Sequence, residues 1–168
     1  MSSNTTTNQA PGETSLTTLL SHMKPTLEKE ETYVFLTIPP SHPLHPSQST
    51  SPSDLSTLFS ILQPLMIYTE PEGLTLITTP TLASRAGFSS SETIFPCKKI
   101  TLQIHSSLEA VGLMAAVSGA LAEVGVSANV VSAFYHDHVF VPVGKEDLAM
   151  EALEGVVSKA KEGMEREQ

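Results

Sequence analysis

Residues 98–143 read KKITLQIHSSLEAVGLMAAVSGALAEVGVSANVVSAFYHDHVFVPV, and the changes of period within this stretch decide the fold. Apolar Ile100, Leu102 and Ile104 alternate with Lys99, Thr101 and Gln103. A two-residue period marks a strand with one buried face. After His105 the spacing becomes helical. Met114, Val117, Leu121 and Val124 recur on one side, and Gly112, Ala115, Ala116, Gly119 and Ala120 form a small-residue stripe beside them. Such a stripe lets a helix lie close to a sheet. Gly125 supplies a stop, and Ser127–Tyr135 and His138–Val143 read as two strands joined by a His136-Asp137 turn. The expected order is β-α-β-β.

Toward the C-terminus, Gly144 breaks the last strand, and Leu148, Ala149, Ala152, Leu153, Val156, Val157 and Ala160 mark one face of a second helix. Strand, helix, hairpin, helix is most of a ferredoxin-like unit, in which both helices cover one face of an antiparallel sheet. The final strand is not evident. Residues 161–168, KEGMEREQ, are too polar for one, so the sheet edge must stay short, be covered, or pair with another strand.

The run from His105 to Val143 resembles an ACT domain, the small regulatory module of amino-acid biosynthetic enzymes. Val111-Gly112-Leu113 stands where that family usually has Pro-Gly-Leu, and Gly125–Ser132 (GVSANVVS) stands at its second-strand phrase. The loop before Val111 has no Asp. The chain is similar to small stand-alone proteins with two ACT-like domains and, more distantly, to the ACT regions of aspartate kinases and cytosolic arginine sensors. The resemblance is strong over Ile100–Val143 and weaker back to about Ser15.

The upstream half repeats the order of elements without repeating the residues. Tyr33–Ile38 is β-branched and aromatic. A helix capped at Ser53-Asp54 runs through Leu62, with Leu58, Ile61 and Leu62 inward. Leu65–Thr69 and Leu74–Thr78 form a hairpin around Glu70-Pro71-Glu72-Gly73. A short helix over Thr81–Ala86 stops at Gly87, and Thr93–Phe95 is a brief strand. Ahead of all this, Leu16, Leu19, Leu20 and Met23 make an amphipathic stripe ended at Pro25, fit to dock on the domain. The expected architecture is therefore α+β, with two ferredoxin-like (ACT-like) βαββαβ domains. The first spans 15–96, with a Pro/Ser-rich insert at 39–52, and the second spans 97–162. Residues 1–14 and the insert are expected to be unstructured, and 163–168 to be a polar tail.

Composition narrows the function. The formal charge of -9 and nine basic residues, with Lys98-Lys99 their only adjacent pair, argue against nucleic acid and anionic membranes. No run is long enough to span a bilayer, and MSSNTTTNQAPGE has neither the basic region nor the apolar core of a secretory signal, so a cytoplasmic protein is expected. The single Cys97 cannot form an internal disulfide. Lys98 and Lys99 beside it would lower a thiol pKa, but its place at a strand start favours an ordinary half-buried cysteine. There is no GxSxG, Walker loop or GxGxxG. An enzyme is not expected, nor a cofactor.

Two polar clusters stand out. In the loop His105-Ser106-Ser107-Leu108-Glu109, hydroxyls and N–H groups at a helix start suit an amino-acid carboxylate. Equally, Ser106 or Ser107 caps the helix with Glu109 complementing its dipole, and the two roles can coexist. The ACT resemblance implies a ligand held between this loop and a neighbouring subunit or domain. The implied ligand residues are His105, Ser106, Ser107, Leu108, Glu109, Val111, Gly112, Leu113 and Asn129. His136-Asp137-His138, with or without His105, is the other cluster. It reads either as a turn or as metal ligands of an enzyme. The function expected is a non-catalytic sensor of a small amino acid or related metabolite, a homodimer acting on an unidentified protein partner. A structural adaptor and a metal-dependent enzyme using His136 and His138 are the alternatives.

Overall fold

The computed structural model describes residues 11–48 and 53–166, with the side chains of 53–55 outside the description. The expectations for residues 1–10, for 49–52 of the insert and for the Ser53-Asp54 cap fall outside these residues. The chain divides into two compact units, one of residues 29–98 and one combining 1–28 with 99–168.

In the 29–98 unit, β2 (Tyr33–Ile38), α2 (Ser53–Leu62), β3 (Met66–Glu70), β4 (Gly73–Thr78), α3 (Pro80–Arg85) and the start of β5 (Thr93–Leu102) complete a βαββαβ unit. Its strand order is β3-β4-β2-β5, antiparallel at each pairing. Leu36, Ile38, Leu74 and Leu76 bury one sheet face against Leu58 and Leu62 of α2 and Ala83 of α3. Thr79 caps α3, its side chain accepting from Leu82 N–H, and Pro80 follows at a position where its missing N–H costs nothing. β5 does not end at Phe95. Between Tyr33 and Phe35 the register with β5 shifts by a residue, and Phe95 sits at φ 55°. A bulge absorbs the extra residue, so a strand that sequence patterning splits in two runs continuously. The insert is not featureless over residues 39–48: His42, His45 and Gln48 each donate a backbone N–H three residues back, and the His42 ring stacks on Phe88 with centroids 5.0 Å apart.

In the other unit, α4 (Leu113–Glu123), β6 (Asn129–Ser132), β7 (Asp137–Pro142) and α5 (Glu146–Arg166) follow β5 as the period changes imply. The missing strand comes from far upstream. β1 (Pro25–Leu27) pairs antiparallel with β5, Pro25 opposite Leu102 and Leu27 opposite Ile100, giving the order β1-β5-β7-β6. Each unit thus has its fourth strand beside its first. α1 (Leu16–His22) packs on α5 and α4, which places residues 15–28 with this unit and not with the one at 29–98. A seven-residue helix is marginal alone. Burial of Leu19 and Met23 in the core of Ile100, Leu102, Val117, Leu121, Val139, Val141 and Leu153 holds it, at about 1.5–3 kcal/mol for each fully buried side chain. Ser15 caps it. At the other end, α5 continues through Arg166, so residues 163–166 belong to a helix and not to a tail.

Candidate functional site

α4 begins at Leu113, and its N-cap is Gly112, at φ 95°, with no side-chain capping bond. Neither Ser106 nor Ser107 caps this helix, which corrects one sequence reading. Ser107 Oγ accepts from Glu109 N–H at 3.2 Å, and Ser107 O accepts from Ala110 N–H at 2.9 Å, so Ser107 closes the turn before the helix. The first N–H groups of an α-helix have no partner within it. Residues of this first turn line a cavity of about 140 Å³, together with Ser106, Ser107, Leu108, Ala110, Ser132 and Asp137.

The hairpin positions the other wall. The turn lies at Ala133–His136, its two central residues Phe134-Tyr135 standing two positions before the expected His136-Asp137, with Ala133 N–H donating to His136 O at 3.2 Å. Ser132 and Asp137 are consequently opposite one another as the last residue of β6 and the first of β7. Asp137 is therefore not a turn residue. It is 5% exposed, and Ser106 Oγ donates to its Oδ2 at 2.8 Å.

A strap of the N-terminal segment backs the loop. Glu13 N–H donates to His105 O at 3.0 Å, and Ser107 N–H donates to Glu13 O at 2.9 Å. Gly12, at φ 117°, crosses so closely that a Cβ there would lie 2.6 Å from Ser107 N. The Glu13 carboxylate accepts from Ser15 and Thr14 N–H, which hold it below the usual carboxylate range. Leu16 lies against Gly112, its Cδ2 3.0 Å from where a Cβ would stand.

Of the residues singled out in the sequence, Ser106, Ser107, Leu108, Gly112 and Leu113 line the cavity. His105, Glu109, Val111 and Asn129 do not; Val111 is 82% exposed, and Asn129 opens β6 on the surface. Asp137, Ser132, Ala110, Met114 and Ala115 complete the lining. The sequence groups Asp137 with its histidine neighbours, and only the register of the hairpin separates it from them. His136 Nδ1 lies 3.4 Å from Ile104 O, and His138 Nδ1 lies 3.0 Å from Thr101 Oγ1. Desolvation pushes the His138 pKa down, with Lys99 and His136 adding to it against Asp137 and Glu28. Among the described residues no group of three His, Cys, Asp or Glu is placed to hold a metal ion. His105 packs against the exposed rings of Phe134 and Tyr135 at the hairpin tip, centroids 6.3 and 5.4 Å away. A larger, open groove of about 770 Å³ runs beside the end of α1 and the later turns of α5. Its one buried polar residue, Ser21, donates to Thr18 O within its own helix, so no buried polar group is directed into it.

Two ferredoxin-like units in tandem define the class of fold. A family model described as ACT domain matches residues 11–98, more than half of the chain, and a second, also ACT domain, matches residues 95–155. A protein of unknown function from Vibrio cholerae, described as a possible transport protein, is 38% identical. The match covers 84% of this chain and 95% of that one, with a TM-score of 0.66. The ligand-free regulatory subunit of aspartate kinase from Thermus thermophilus is 12% identical over 82% of this chain and 97% of its own, with a TM-score of 0.56. A protein from Agrobacterium tumefaciens is 14% identical over 80% and 89%, with a TM-score of 0.56. These last two are alike in fold alone. No curated protein matches the chain. The chain belongs to the ACT domain family and carries two ACT domains in tandem. ACT domains are regulatory and not catalytic modules. No described helix is long and apolar enough to cross a membrane.

Proposed function

We propose that this protein is a non-catalytic sensor that takes a small amino acid or related metabolite into the cavity at the start of α4. The observation that carries this reading is the meeting of a buried carboxylate, Asp137, with the uncapped first turn of a helix in one cavity of about 140 Å³. A helix N-terminus favours a carboxylate, through its free N–H groups and its dipole. The sensor acts by linkage: bound ligand shifts the protein toward whichever arrangement binds it better, and by no more than that difference. The output is an unidentified protein partner, and a cytoplasmic setting and homodimer belong to the same reading. Pairing through an unfinished sheet edge no longer supports the dimer, because β1 occupies that edge, and β6 is the strand at the end of the order.

A thermal-shift screen against the common amino acids tests the proposal. A ligand at a hundred times its Kd stabilises the fold by about 2.7 kcal/mol, a visible shift in Tm. Ala115→Glu should abolish the response without harming the fold. Ala115 is exposed in the first turn of α4, where an acidic side chain suits the dipole but repels a ligand carboxylate. A panel without any shift sinks the sensor and leaves the adaptor, for which Phe134 and Tyr135, 51% and 63% exposed, are the contact surface to mutate.

A further inference from the structure

Among the described residues, Asp137 is the only charged side chain lining the cavity, and the rest of the wall is three serines with Leu108, Ala110, Gly112, Leu113, Met114 and Ala115. The residue is 5% exposed, and the neutral Ser106 hydroxyl donates to its Oδ2 at 2.8 Å. A carboxylate facing a sheltered cavity is a ready partner for a cationic group of a ligand, because charge pairs are stronger away from water. We propose that Asp137 is the specificity-determining residue of the site, pairing with the α-ammonium of the ligand and restricting it to small α-amino acids with neutral side chains. This rests on the sensor reading above.

The restriction follows from counting charges. A neutral amino acid brings one ammonium and one carboxylate, and the cavity offers one partner for each: Asp137 for the cation and the first turn of α4 for the anion. An aspartate or glutamate side chain adds a second negative charge beside Asp137 with no cation in the lining to meet it. A lysine or arginine side chain adds a second positive charge with no second carboxylate. Leu108, Leu113 and Met114 instead offer apolar contact, and a volume of about 140 Å³ favours a short side chain.

Calorimetric titration of the full-length chain with glycine, alanine, serine, threonine, valine, aspartate, glutamate, lysine and arginine tests the inference. Lactate and N-acetylalanine serve as ligands that lack the ammonium. Expected are binding by one or more of the neutral set, weaker binding by the four charged ones, and a loss on the order of a hundredfold for the two analogues relative to alanine or its best-bound neighbour. Asp137→Asn should lose affinity to a similar degree while keeping the unliganded melting temperature near that of the native chain. If that variant does not fold, the comparison of alanine with lactate on the native chain decides alone. Charged amino acids binding as tightly as neutral ones, or lactate as tightly as alanine, would overturn the role of Asp137 and leave the sensor standing. Silence from every amino acid overturns both.

Discussion

Burial pushes the Cys97 thiol up to about 12, and its Sγ–H donates to Tyr33 O at 3.4 Å within the 29–98 unit. The lysines beside it in sequence do not activate it: Lys98 Nζ donates to Lys29 O and Glu31 O, and Lys99 pairs with Glu28 at 2.8 Å. Cys97 should therefore resist alkylation at pH 8 in the native protein and react at once in urea, and fast labelling without denaturant would contradict its burial. His138 gives a pH dependence whose sign can be fixed. Its folded pKa lies below the unfolded value of 6.5, so the unfolded chain binds the proton more readily. Its contribution is complete above that value and is lost as pH falls from about 6.5 through the folded pKa. The urea midpoint of the native chain should drop more between pH 7.5 and 5.5 than that of His138→Gln, and parallel declines would remove His138 as the cause.

At the scale of elements, β1 and α1 together close the unit that ends in α5. Removing residues 1–28 takes Leu19 and Met23 from the core and strips the edge of β5 at Ile100–Leu102. Hydrogen exchange should then show protection collapsing across residues 99–166, and retained protection there would mean β1 and α1 are dispensable. Sequence periodicity located β2, α2, the β3–β4 hairpin and α4 closely, because each carries its own pattern of two or 3.6 residues. It could not locate β1: Pro25-Thr26-Leu27 is too short for any period, and only its partner on β5 makes it a strand. The candidate site divides in the same way. Its loop and helix start were legible in Ser106, Ser107, Gly112 and Leu113, since glycine and hydroxyl residues before an apolar helix have local meaning. Asp137 and Ser132 were not, because their place depends on a hairpin register displaced from the expected turn, and Asn129 was included on a family pattern that this strand presents to solvent.

For the whole molecule, the two units differ in how far apart along the chain their partners lie. The 29–98 unit is built from one continuous stretch, whereas the other joins residues before position 29 to residues after 98. Closing long loops slows folding more than it weakens the final state. In pulsed hydrogen exchange during refolding, protection of β2, β3 and β4 should precede protection of β1, β6 and β7, and the reverse order would contradict this. Synthesis on the ribosome gives the borrowed strand a further consequence. At roughly 5–20 residues per second, Pro25–Leu27 and the apolar side of α1 emerge several seconds before the strand they pair with. Throughout that interval Leu19 and Met23 have no core to enter, and the nascent chain exposes them as a ready target for a chaperone.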